Sequence, residues 1–190
     1  MVRLRIIIMV IVCVLLVGSP LAYANGPTFK INDIVEAIKL EIMGAQALED
    51  EVPKMTINNF SLTLTVVAIR KSNGSIEFEV PGVDAEAEKG FSTSATHTIT
   101  ITMSLSEETK VTPIASSLGI LPAIQQIKST LRSACSVPPH FTTNLLSFTI
   151  EFAVVRTDKN DYRFEIIEAE KPEYKNFITH TLTVQMSPSN

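Results

Sequence analysis

The sequence predicts an α+β fold: one helix followed by three or four antiparallel strands, present twice, with the two halves packed together in pseudo-twofold symmetry. Three observations lead there. Thr96-His97-Thr98-Ile99-Thr100-Ile101-Thr102-Met103-Ser104 returns as Thr179-His180-Thr181-Leu182-Thr183-Val184-Gln185-Met186-Ser187. Ser61–Val80 aligns without a gap against Ser147–Ile166. Each aligned block follows a stretch with helical apolar spacing. Self-similarity on this scale is the mark of a repeated structural unit.

The chain opens on a pattern expected of an export signal over residues 1–24. Arg3 and Arg5 form a basic start, Ile6 to Val17 is an uncharged apolar run, and Gly18-Ser19-Pro20 breaks it. Ala22 and Ala24 supply the small residues of a cleavage site between Ala24 and Asn25. The run is too short for a spanning helix, which needs roughly 20 residues. Cys13 follows Val12, where lipoprotein processing wants a small residue. A periplasmic or secreted location follows, with no membrane attachment after cleavage.

The first half, residues 27–106, begins with Ile31, Ile34, Val35, Ile38, Ile42 and Ala45 on one stripe of a helix reaching about Leu48. Asn32 or Asp33 is placed to cap it, and Glu36, Lys39, Glu41 and Glu49 fall on the remaining surface. Met55–Ile57 is a short apolar stretch, and Asn58-Asn59 suggests a bulge. Leu62, Leu64, Val66 and Ala68 then alternate with Ser61, Thr63, Thr65 and Val67 as a strand. Lys71-Ser72-Asn73-Gly74 is turn chemistry, and Ile76, Phe78 and Val80 form the return arm of a hairpin. A polar loop, Gly82 to Ala95, leads to the strand that opens with His97.

The second half, residues 114–188, repeats the plan. Ile120, Ala123, Ile124, Ile127, Leu131 and Ala134 form the helix stripe, with Pro122 tolerable in the first turn and Ser136-Val137-Pro138-Pro139 as the stop. Phe141–Thr143 parallels Met55–Ile57. Phe148, Ile150, Phe152 and Val154 give the long strand. Asp158-Lys159-Asn160-Asp161 turns it, and Tyr162, Phe164 and Ile166 return. The loop from Glu168 to Asn176 differs in length from its counterpart, which a loop tolerates and a core strand does not. Residues 106–117 contain no flexible linker, so the halves are expected to fold against each other.

Composition narrows the partners. The net charge is −4, and two of the 16 basic residues lie in the leader, so the exported chain is more acidic still. That excludes the basic face a nucleic-acid ligand or an anionic membrane requires. Only Cys135 remains after cleavage, so no intramolecular disulfide forms, and a thiol at the end of the second helix behaves as a small hydrophobe.

The Thr-His-Thr segments are the candidate site. On an extended strand His97 shares a face with Ile99, Ile101 and Met103, as His180 does with Leu182, Val184 and Met186. Each imidazole is expected on the apolar side as a structural peg, with Thr98 and Thr181 on the other face and Arg70 and Arg156 closing the long strands. Zinc requires three or four ligands, and His97, His140, His180 and one thiol offer no close pair. No G-x-S-x-G elbow, G-x-G-x-x-G or P-loop occurs, and Asp84-Ala85-Glu86-Ala87-Glu88 lacks calcium-loop spacing. The sequence therefore assigns no catalytic residue, cofactor or metal.

Ile34-Val35-Glu36-Ala37-Ile38-Lys39-Leu40-Glu41-Ile42, the Leu62–Val66 strand and the closing strand from His97 together resemble the trypsin-co-occurring domain of the second type. The second half resembles it more loosely, with Ile127 and Lys128 where the first has Glu41 and Ile42. The resemblance implies two tandem, diverged copies of a small bacterial non-catalytic module that acts beside trypsin-like peptidases or in defence assemblies. The chain differs from that setting in carrying an export signal and no peptidase domain.

The expected function is an exported protein-interaction module working through the Thr-rich outer face, the Gly82–Ala95 loop or an exposed sheet edge, the last also open to homo-oligomerisation. The alternative is a carrier holding a small apolar molecule between helices and sheet, lined by Phe60, Phe78, Phe148, Phe152 and Phe164.

Overall fold

The computed structural model describes residues 26–47, 55–84, 96–105, 118–136, 144–157, 161–167 and 178–188. The expected export signal, most of the Gly82–Ala95 segment, the Glu168–Asn176 segment, the join at 106–117 and the Phe141–Thr143 stretch lie outside the described residues. The order of elements is β1 (Thr28–Lys30), α1 (Ile31–Ala47), β2 (Met55–Arg70), β3 (Ile76–Pro81), β4 (Val83–Asp84), β5 (His97–Ser104), α2 (Ile120–Ser136), β6 (Leu146–Arg156), β7 (Tyr162–Ile166) and β8 (His180–Pro188). Among the described residues no helix is long and apolar enough to cross a membrane.

The fold class is α+β, with two helices and a sheet whose ladders are antiparallel except for the short parallel β4–β6 pair. The sheet runs β1-β3-β2-β8-β6-β4, with β5 also on β2 and β7 also on β6. The helices cover one face. Ile34, Ile38 and Ile42 of α1 and Ile120 and Ile124 of α2 join Leu62, Leu64, Val66, Ile150, Phe152, Leu182 and Val184 in a single core. Each such side chain, once removed from water, stabilises the fold by about 1.5–3 kcal/mol before entropy is counted.

Several elements differ from the expectation in instructive ways. Asn32 and Asp33 do not precede the helix: β1 runs directly into α1 at Lys30–Ile31, so both residues sit in its first turn. Met55–Ile57 is not a separate strand but the start of the sixteen-residue β2. Asn58 is the bulge, for the register against β8 shifts between Ile57 and Asn59. That extra residue changes the parity of the buried positions, from Met55 and Ile57 to Phe60, Leu62, Leu64 and Val66. Asn58 fills the irregularity by hydrogen-bonding through its Nδ2 to Ser187 Oγ at 3.0 Å. The strands β1 and β4 carry no alternation long enough to signal them.

The two hairpins share a register. Val67 faces Glu79 and Arg70 faces Ile76 in the first; their aligned counterparts Ala153 and Glu165, Arg156 and Tyr162, face each other in the second. Likewise Val66 pairs with His97 as Phe152 pairs with His180. The relation between the halves, however, is not the expected twofold. β8 lies between β2 and β6 and is antiparallel to both, so β2 and β6 run the same way. A twofold normal to the sheet would reverse one of them and set like strands side by side. The observed order β5-β2-β8-β6 is head to tail: the closing strand of the second half lies against the long strand of the first.

Candidate interaction surface

The face of the sheet turned away from the helices is lined by hydroxyls. One cross-strand row runs Thr100, Thr63, Thr181, Glu151, and the next runs Thr102, Ser61, Thr183, Thr149. Hydroxyls meet across these rows: Thr63 with Thr100 at 3.2 Å, Ser61 with Thr102 at 3.2 Å and Thr149 with Thr183 at 3.0 Å. Strand periodicity produces the pattern, since residues two apart share a face and their odd neighbours fill the core. Thr98 is exposed beside Thr65, and Thr181 is half-buried beside Thr63.

The two histidines, equal in sequence, stand in opposite surroundings. His180 is 1% exposed. Its Nδ1 accepts the Thr65 backbone N–H at 3.2 Å, which places its proton on Nε2. The Thr65 hydroxyl in turn donates to the Thr179 carbonyl at 3.1 Å. Its ring tilts on Phe152 with centroids 5.4 Å apart. Among the described residues the buried Nε2 meets no acceptor at full hydrogen-bond geometry, the Pro81 carbonyl offering only a weak one. Burial pushes the imidazole pKa down to about 4, opposed only in part by the Pro81 carbonyl, so the ring is neutral at physiological pH. This histidine thus packs where β2, β6 and β8 meet.

His97 is exposed, because β5 ends the sheet and no described strand lies beyond it. Its ring packs edge-on against Phe78 at 5.5 Å, and Phe78 is itself 44% exposed. Both depart from the buried positions their spacing suggests, for one reason: alternation tells which face a side chain takes but not whether another strand covers it.

Arg70 is exposed at the end of β2. Arg156 instead pairs through Nε with Asp84 Oδ1 at 2.6 Å, tying β6 to β4. The two arginines thus have different surroundings. Among the described residues no three His, Cys, Asp or Glu side chains converge to hold a metal. The phenylalanines do not line one cavity: Phe60, Phe152 and Phe164 fill the core, Phe152 and Phe164 in mutual edge contact at 5.4 Å, while Phe78 lies at the surface.

Two polar groups join the helices. Glu41 is buried rather than on the solvent side, and its carboxylate accepts the Leu118 and Leu121 backbone N–H groups at 2.6 and 2.7 Å. Lys128, also buried, donates to the Ala45 carbonyl at 3.1 Å. The available signal was a charge on an apolar stripe, Lys128 standing where the first half has Ile42.

Residues 29–105 match the family model described as trypsin-co-occurring domain 2. The match spans β1 through β5 and includes the exposed His97 strand. Neither a curated protein nor a solved structure matches the chain.

Proposed function

We propose that the chain is an exported, non-catalytic protein-interaction module of the trypsin-co-occurring type, engaging its partner through the open β5 edge and the adjoining hydroxyl face. The observation that carries this is the contrast between like strands. Leu182, Val184 and Met186 of β8 are fully buried, whereas the matching Ile99, Ile101 and Met103 of β5 are only half-covered. A strand that has no neighbour on one edge among the described residues and a row of partly bare aliphatic side chains can accept an added strand.

In this reading residues 27–106 and 114–188 are two tandem, diverged copies, a view supported by the equal hairpin registers. Residues 1–24 direct export from a bacterial cell and are cleaved before Asn25. The family match over 29–105 supports a trypsin-like peptidase as partner. The test is affinity capture from the exporting compartment, with wild-type bait and a Thr98→Lys/Thr100→Lys bait run in parallel. A trypsin-like serine peptidase should be enriched by the wild type and lost with the variant. Equal recovery by both baits would remove the β5 edge from the account.

A further inference from the structure

Among the described residues, the head-to-tail order leaves two complementary edges without a partner strand at the ends of the sheet. The first is the outer edge of β5. The second is the outer edge of β6. Phe152 pairs with Ile166 of β7 and with His180 of β8, so those two strands occupy opposite edges of β6. β7 covers only Phe152–Arg156 on its side, extended by the Ile167 N–H bond to the Glu151 carbonyl at 2.9 Å. The stretch from Leu146 to Ile150 on that outer edge has no partner strand among the described residues.

These two edges are the counterparts of the two that already pair inside the molecule. β5 corresponds to β8, and the start of β6 corresponds to the part of β2 that receives β8. Burial shows the difference the missing neighbour makes. Phe60 and Leu62 of β2 lie beneath β8 at 2% and 0% exposure, while their counterparts Leu146 and Phe148 are half-exposed and Leu145 beside them is 58% exposed.

We propose that the open β5 edge of one molecule adds to the open β6 edge of a second copy of this chain, repeating the internal β2–β8 junction and extending the sheet head to tail. Transferring the internal register gives the joint. Thr63 opposite Thr181 becomes Thr149 opposite Thr98 of the next molecule. Leu62 opposite Leu182 becomes Phe148 opposite Ile99, and Phe60 opposite Val184 becomes Leu146 opposite Ile101. The hydroxyl rows and the aliphatic face both continue in phase across the joint. At that joint His97 takes the place that His180 holds beside Thr65, next to the Glu151 backbone. Because the interface is heterologous, a dimer still carries one free edge of each kind, so growth passes the dimer and ends only if a ring closes.

This inference rests on the reading of β5 as an interaction edge but names its own occupant. Sedimentation velocity of the purified protein over a wide concentration range should show oligomers growing past the dimer. Ile101→Lys and Leu146→Lys block opposite edges, so each alone should be monomeric. Mixed one to one, they should form a dimer that does not grow, because each supplies the edge the other lacks. Circular dichroism and thermal melting confirm that both variants are folded. Thr98→Cys/Thr149→Cys, at two exposed positions, should give an intermolecular disulfide ladder on oxidation beyond any seen for wild type. The out-of-register Thr98→Cys/Leu145→Cys should not. A monomer at every concentration without a ladder overturns the proposal and leaves a hetero-partner to the capture experiment. A closed dimer that survives Leu146→Lys overturns it in favour of symmetric β5 pairing.

Discussion

Glu41 and Lys128 cap each other's helices. From α1, Glu41 receives the Leu118 N–H just ahead of α2 and the Leu121 N–H in its first turn, and from α2, Lys128 donates to the Ala45 carbonyl near the end of α1. Each charge meets the helix end whose dipole it complements, and each satisfies backbone groups that would otherwise be buried unpaired. The exchange ties the first half to the second with polar groups on the core side of the sheet. Close approach makes it feasible: a Cβ on Gly44 would lie 2.8 Å from Leu121 Cδ1.

Replacing Glu41 by Ala leaves the Leu118 and Leu121 N–H groups unanswered, and should lower unfolding free energy by about 2–3 kcal/mol. Glu41→Gln, which retains one acceptor oxygen, should cost less. Urea denaturation of the three proteins gives the comparison. Equal midpoints would show that the carboxylate carries nothing.

His180 sets a pH dependence whose sign is fixed by its burial. The unfolded imidazole takes up a proton near pH 6.5, while the folded one resists protonation until about pH 4. The unfolded chain therefore binds more protons in that interval, and stability falls as pH is lowered through it. This residue accounts for about 3 kcal/mol between the two limits. The wild-type minus His180→Phe difference should carry that slope. An NMR titration placing the His180 ring near its ordinary value would contradict it.

Gly119→Ala should be among the costliest small substitutions. Gly119 has φ of 121°, and a Cβ there would lie 2.1 Å from the Phe164 carbonyl oxygen. The Phe164 N–H also donates to the Leu118 carbonyl at 2.6 Å, so the two segments cannot simply part. A loss of more than about 2 kcal/mol is expected from the backbone strain together with the displaced strand. Gly74→Ala, where nothing lies near, should show only the cost of its positive φ.

Two phenylalanines separate core from surface. Phe152→Ala opens a cavity beneath His180 and should cost about 3–5 kcal/mol. Phe78→Ala removes a ring that is 44% exposed and touches His97, and should cost well under half as much. Thermal melts of the two variants make the test.

The elements that alternate strongly were legible in the sequence. The helix stripe from Ile34 to Ala45 and the Leu62–Val66 alternation follow from side-chain periodicity, and the Asn58 bulge from the paired asparagines; both signals are local. What was not legible depends on neighbours. Nothing in Thr-His-Thr distinguishes His97 at an open edge from His180 beneath two strands, because the difference lies in strand order. The twofold expectation failed for the same reason: equal units can join head to head or head to tail, and alternation is silent on which. Glu41 was misplaced because a charge on a helix is ordinarily solvated, and its partners lie on another helix far along the chain. The site was thus legible as the two Thr-His-Thr strands, but their roles were not.

Among the described residues β8 is an interior strand and β5 an open edge of one sheet. Amide hydrogen exchange, resolved by residue and measured at dilution where the protein is monomeric, tests this directly. Leu182 through Met186 should exchange slowly throughout, and His97 through Ser104 should alternate between slow amides bonded to β2 and fast ones facing solvent. Uniform protection of β5 at that dilution, or fast exchange along β8, would contradict the strand order on which everything else depends.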